Sequence, residues 1–324
     1  MNVRMRSTFV LGLGLLLLSG VVAASDPAHD DSDLDVVLVR GGKPGPGLWK
    51  VSSGEHHLWI LGEVSPIPRN VEWRSRQFDK ELRKSQELLV DFSGFWPINR
   101  EEMSAYRKVE KLPEGTALRN VISPELHARV ESTARIYRLQ DLEELRPFAA
   151  TNRLVIRAMQ KLELRSFSAR FAAPELAKLR HVKVTYYSAP EYPFDKRLEN
   201  WQDESNAVCL QRIVDALQDG GVGLKRLANA WSIGDIEALR ELVPSFSFSR
   251  DGLRAGPCAA AMRGGEQELR DYNAERIKGW LTEAERALKF NRSTMAVVLM
   301  SELFEKDGYL EALRARGYEV VEPE

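Results

Sequence analysis

The chain has 324 residues, 44% of them hydrophobic, and its 46 Lys and Arg against 47 Asp and Glu leave a formal charge of -1. That balance excludes a whole-molecule pull toward nucleic acid or an anionic membrane, while the apolar share is enough for a sizeable core. The first 24 residues read as a cleavable secretory signal peptide. Arg4 and Arg6 precede the apolar run Phe9–Leu18, and Val22-Ala23-Ala24 before Ser25 supplies the small residues of a cleavage site. A membrane anchor needs roughly 20 apolar residues, and this run, broken by Gly12 and Gly14, is about half that length. Lipid attachment would need a cysteine just after the cleavage point, and the first cysteine is Cys209. No later stretch is apolar enough to span a membrane, so the expectation is a soluble exported protein, most simply of the bacterial periplasm.

Residues 25–45, with the tract Asp30-Asp31-Ser32-Asp33, read as a flexible leader that carries a short strand at Val36–Val39. A single domain then runs from 46 to 324. It opens with Leu48–Val51, a turn at Ser53-Gly54-Glu55, and His57–Gly62, which predicts a hairpin. From Ser75 a helical spacing of Phe78 and Leu82 feeds the apolar run Leu88–Phe92, the grammar of a helix entering a buried strand of a parallel sheet. Helical patterns follow at Ser123–Tyr137 and at Leu142–Met159, the second interrupted near Pro147, before a strand at His181–Tyr187. From Trp201 the pattern is helical, broken at Gly220-Gly221, with Asp235 as an N-cap. Residues 244–265 form a loop and Glu268–Leu288 a long helix. The strand Thr294–Met300, a helix from Asp307 to Gly317 and the strand Tyr318–Val321 complete the chain. The class is α/β, with a mixed or parallel central sheet built from both chain ends and a helical insert over about 100–290.

Cys209 and Cys258 are the only cysteines, and a bridge between them would close a loop of about 50 residues worth on the order of 4 kcal/mol. A metal pair or a catalytic thiol would need a zinc-type spacing or a nearby histidine, and neither is present. Export to an oxidising compartment favours the disulfide.

The ordered set Leu48–Val51, Leu58–Ser65 and Leu88–Asp91 resembles the opening of the TraB/PrgY/GumN family, which includes the Tiki-type metalloproteases. The likeness continues through Leu112–Gly115, Leu145–Phe148, Trp231–Asp235, Glu275-Arg276, Asp307–Leu310 and Arg316–Tyr318. It implies a site made by a GxxH turn after the first core strand, an acidic residue ending the next strand, and a second GxxH near the C-terminus. Imidazole and carboxylate at converging strand ends suit a divalent ion that activates water. Here the first turn reads Gly62-Glu63-Val64-Ser65 and the second Leu299-Met300-Ser301-Glu302, so both histidines are missing. The acidic position is Asp91, a further family glutamate falls on Tyr187, Arg276 is kept, and Ile277 stands where the family has asparagine.

The remaining histidines offer no substitute. His56 and His57 are neighbours on a strand and point to opposite faces. His29 lies in the leader, and His127 and His181 read as surface or satisfied polar residues without partners at i, i+3 or i, i+4. Ser65 lacks a nucleophile elbow and reads as a turn residue before Pro66. Trp49, Trp59 and Trp73 read as core packing.

Two functions follow. The first is an exported family member without the metal-dependent hydrolase activity, acting as a binding or accessory protein for an unknown peptide or protein partner and needing no cofactor. The alternative is a divergent metal-dependent peptidase in which Glu63, Asp91, Glu302 and Arg276 form a carboxylate site for magnesium or calcium. Against the alternative, Glu63 and Glu302 also read as solvated charges at loop mouths, the commoner fate of exposed glutamates.

Overall fold

A computed structural model describes residues 45–93, 100–166, 168–189, 203–246, 258 and 265–323. The signal peptide, most of the leader with its strand and His29, and most of the 244–265 loop lie outside the described residues.

The hairpin forms as the alternation predicts. Strand β1 (Leu48–Ser53) pairs antiparallel with β2 (His56–Glu63), Val51 opposite Leu58, around Gly54 at φ +58°. A short β3 (Ile67–Pro68) then leads into helix α1 (Arg76–Lys84), whose first turn is capped by Ser75 accepting from Phe78 N at 3.0 Å. The helix stops before Leu88 because Ser85 turns extended and returns its hydroxyl to Glu81 O at 2.8 Å. Strand β4 (Glu87–Asp91) follows, buried at every position, which is the mark of a strand covered on both faces.

The middle of the chain is helical: α2 (Arg100–Val109), α3 (Leu118–Val121), α4 (Pro124–Ile136) and α5 (Pro147–Lys161). Pro147 does not interrupt α5. It begins it, because a missing N–H costs nothing in the first turn, and residues 142–146 stay outside the helix. Strand β5 (Leu164–Arg165) pairs with β3, and helix α6 (Ser168–Lys178) leads to β6 (Lys183–Tyr187). Then come α7 (Asp203–Leu217), α8 (Val222–Ile233) and α9 (Ile236–Phe246). Asp235 caps the start of α9 by accepting from Ala238 N at 2.9 Å. Helix α9 carries Pro244 inside it and so runs into the stretch that sequence assigns to a loop. The long α10 (Glu266–Phe290) precedes β7 (Ser293–Leu299), the one-turn α11 (Met300–Leu303), α12 (Tyr309–Ala315) and β8 (Glu319–Val321).

The sheet order is β6-β4-β7-β2-β1-β8. Strands β6, β4, β7 and β2 run parallel, while β1 is antiparallel to both of its neighbours, β2 and β8. The class is α/β with a mixed sheet, and β7 from the C-terminal part of the chain lies between β2 and β4 from the N-terminal part.

Among the described residues, two apolar cores form. One surrounds the sheet and includes Trp49, Trp73, Trp231 and Trp280. The other lies within the helices, from Leu112 to Leu224, and includes Cys209 and Cys258, which are joined by a disulfide. Helices α6, α8, α9 and α10 contribute buried residues to the core around the sheet. Among the described residues, no helix is long and apolar enough to cross a membrane.

Candidate functional site

The four parallel strands end at one edge of the sheet. Glu63 closes β2, Asp91 closes β4, Tyr187 pairs with Asp91 at the end of β6, and Glu302 sits in α11 directly after β7. The family-equivalent positions therefore gather where open α/β sheets build sites. They are not solvated there. Glu63 and Asp91 are fully buried, the Glu302 side chain is 12% exposed, and Ser65 is buried just beyond β2.

What holds these carboxylates is not legible in the sequence motifs. The first turn of α6 approaches Glu63, and the amides of Ala169 and Arg170 donate to its two oxygens at 2.5 and 3.4 Å, so a carboxylate caps the positive end of a helix. From the same turn Arg170, 1% exposed, places its guanidinium 3.7 Å from Glu63 Oε2 and 3.5 Å from Glu302 Oε2. Arg276, also buried on α10, lies 3.4 Å from Glu302 Oε1 and 2.6 Å from Glu305 Oε2. Its guanidinium sits 5.1 Å from the ring centroid of Tyr309, which stacks on Trp280 and donates its hydroxyl to Asp91 Oδ2 at 2.5 Å. The other Asp91 oxygen accepts from Ser93 N at 2.7 Å. Tyr187, where a family glutamate was expected, donates to the Arg276 carbonyl at 3.0 Å and fills the space left by the missing side chain of Gly279.

The electrostatics follow from this packing. Four carboxylates, Glu63, Asp91, Glu302 and Glu305, surround two guanidinium groups. Burial pushes the Glu63 carboxyl up to about 7, against the opposing pull of Arg170 and the helix amides. Burial and the neighbouring Asp91 charge raise Glu302 in the same direction, outweighing Arg276 and Arg170. Burial, with Asp91 and Glu302 close by, holds the Tyr309 hydroxyl well above its usual range, so it acts as a donor. Burial works against the Arg276 charge, but Tyr309, Glu302, Glu305 and Asp91 more than compensate.

A divalent ion needs its ligands to converge on one point, and this cluster does not provide that. Glu63 and Glu302 converge on Arg170, a permanent cation already paired with both. Among the described residues, the set of three metal-ligating side chains whose atoms lie within 4.8 Å of one another is not here but at His127, Glu131 and Glu143 in the helical core. The donor set at the strand ends thus does not fit the family's metal. It fits a closed ion network that can store a proton near neutral pH.

Sequence reasoning missed Arg170, Tyr309 and Glu305. Tyr309 lies in a stretch that carried the family resemblance, whereas nothing local distinguishes Arg170. His127 does have a partner one turn along α4, the carboxylate of Glu131 at i+4. His56 and His57 lie at the start of β2, at the opposite edge, where His56 borders a cavity of about 730 Å³ with Glu285 and Arg286.

The fold and its strand-end cluster define an α/β protein in which buried carboxylates at the ends of the parallel strands are paired with the buried guanidinium groups of Arg170 and Arg276. A family model for TraB/PrgY/gumN matches residues 47–322, and the chain belongs to that family. No curated protein and no solved structure matches it.

Proposed function

We propose that this chain is an exported TraB/PrgY/gumN-family protein that does not carry out metal-dependent hydrolysis and serves as a binding or accessory protein in the extracytoplasmic space, most simply a bacterial periplasm. The observation that carries the reading is the buried Arg170 guanidinium between Glu63 and Glu302. A guanidinium has no open coordination position, so it cannot bind a water and convert it to a hydroxide nucleophile as a metal does. Removing Arg170 would leave Glu63 with backbone amides and no paired cation and Glu302 with Arg276 alone, so the network resists opening. The amino-terminal segment and the disulfide between Cys209 and Cys258 support the compartment. The partner on this reading is a peptide or a protein, and the near-zero net charge gives no whole-molecule attraction to nucleic acid.

The convergence of Glu63, Asp91, Glu302 and Arg276 at one edge favours a second reading, a peptidase with a rebuilt carboxylate site. The two separate in one assay, a peptide library incubated with the purified protein and magnesium, calcium, manganese or zinc in turn. No cleavage is expected. Metal-dependent turnover abolished by Asp91→Ala would establish the peptidase instead.

A further inference from the structure

The helical core holds a second chemical constellation, unrelated to the family motifs. His127 and Glu131 are one turn apart on α4 and share a face. The segment after α4 folds back so that Glu143 Oε1 meets His127 Nε2 in a short hydrogen bond. Ligand atoms of all three side chains lie within 4.8 Å of one another.

The backbone around them is fixed before any ligand arrives. Ser123 caps α4 by accepting from Leu126 N at 3.2 Å, and His127 N donates to Ser123 O at 2.9 Å. The carbonyl of Glu143 accepts from Leu118 N at 2.8 Å, and that of Glu144 accepts from Leu112 N at 2.8 Å. Leu118, Val130 and Leu142 are buried beneath the cluster. A cavity of about 310 Å³ opens beside it, bordered by all three residues together with Arg135, Gln140 and Asp141.

We propose that His127, Glu131 and Glu143 form a binding site for a divalent transition-metal ion, zinc by preference, at the mouth of this cavity. One imidazole with two carboxylates is a donor set that suits zinc better than magnesium or calcium, which take oxygen ligands in larger number. In a tetrahedral zinc site with ligands at about 2.0–2.1 Å, neighbouring ligand atoms stand about 3.3 Å apart. The ion enters by parting the His127–Glu143 hydrogen bond to that spacing and drawing in Glu131, movements within reach of side-chain rotation. Three protein ligands leave the fourth position open toward the cavity, where water or a small anionic ligand completes the shell. One competing cation is Arg119, whose guanidinium lies 3.5 Å from Glu143 Oε2 on a side chain that is 64% exposed. An exposed pair of that kind is worth little and yields to a metal.

The test is calorimetric titration of the chelator-treated purified protein with zinc chloride, repeated on His127→Ala, Glu143→Gln and Glu131→Gln, with circular dichroism as the check on folding. One equivalent of zinc per chain is expected, with affinity lowered at least about tenfold in each variant. Glu131 is exposed, so Glu131→Gln leaves the fold intact and keeps the test valid even if the His127 variant unfolds. Absence of uptake by the parent protein, or uptake unchanged in a folded Glu131→Gln and Glu143→Gln, would overturn the proposal.

Discussion

Replacing Arg170 by methionine keeps much of its aliphatic bulk and removes the cation between Glu63 and Glu302. Breaking a buried ion pair from one side typically costs about 3–5 kcal/mol, and that is the loss expected at pH 8. Its pH dependence follows from Glu63. An unfolded glutamate titrates near 4.5 and the folded Glu63 near 7, so the folded chain holds an extra proton between these values. Stability therefore falls as pH rises through that window and levels off above about 7 in the parent protein. Without Arg170 the carboxyl moves further up, and the fall continues toward pH 8 at about 1.4 kcal/mol per pH unit. The gap between parent and variant should thus be about 1.4 kcal/mol larger at pH 8 than at pH 6 from Glu63 alone, with Glu302 adding in the same direction. Urea unfolding followed by tryptophan fluorescence at both pH values measures it. A gap that is equal at pH 6 and pH 8, or a loss under about 1 kcal/mol at pH 8, would refute the reasoning.

At the other edge of the sheet, burial would raise Glu87, but hydrogen bonds from Arg286, Thr185, Asn291 and Lys183 hold its carboxyl down at about 2. Its stabilisation is present above 4.5 and is lost as pH falls through about 2, and Glu87→Gln should cost about 3 kcal/mol at neutral pH by chemical denaturation. Gly62→Ala would place a methyl carbon 2.7 Å from Met300 Sδ and 2.8 Å from Leu303 Cδ1, so thermal unfolding should register a loss of about 1–3 kcal/mol. Reducing the Cys209–Cys258 bridge, which spans 49 positions, should lower stability by about 4 kcal/mol, measured as a shift in the urea midpoint with and without dithiothreitol.

The parts of the fold that sequence discloses are those with strong local periodicity. The Leu48–Leu61 hairpin, the buried run at Leu88–Asp91 and the cap at Asp235 each follow from residue spacing alone, because alternation and side-chain capping are decided within a few residues. Pro147 misled, since the same ring that breaks a helix interior is well placed at its first turn. At the candidate site, the ordered motifs brought Glu63, Asp91, Glu302 and Arg276 into view, and all four lie at one end of the parallel strands. Their environment could not be foreseen. A glutamate at a strand end reads as solvated until a helix 106 positions away is known to lay its first turn, and a buried arginine, over it. Of the neighbours of His127, Glu131 is visible in the sequence at i+4, whereas Glu143 arrives only by tertiary folding.

The central claim is that the strand-end cluster carries its own cations and takes up no metal. Metal content of the purified His127→Ala variant, after equilibration with zinc, manganese, magnesium or calcium and removal of free ion, tests it without interference from the helical core. No stoichiometric metal is expected, and adding Asp91→Asn should change nothing. One equivalent of bound ion that disappears with Asp91→Asn would contradict the account.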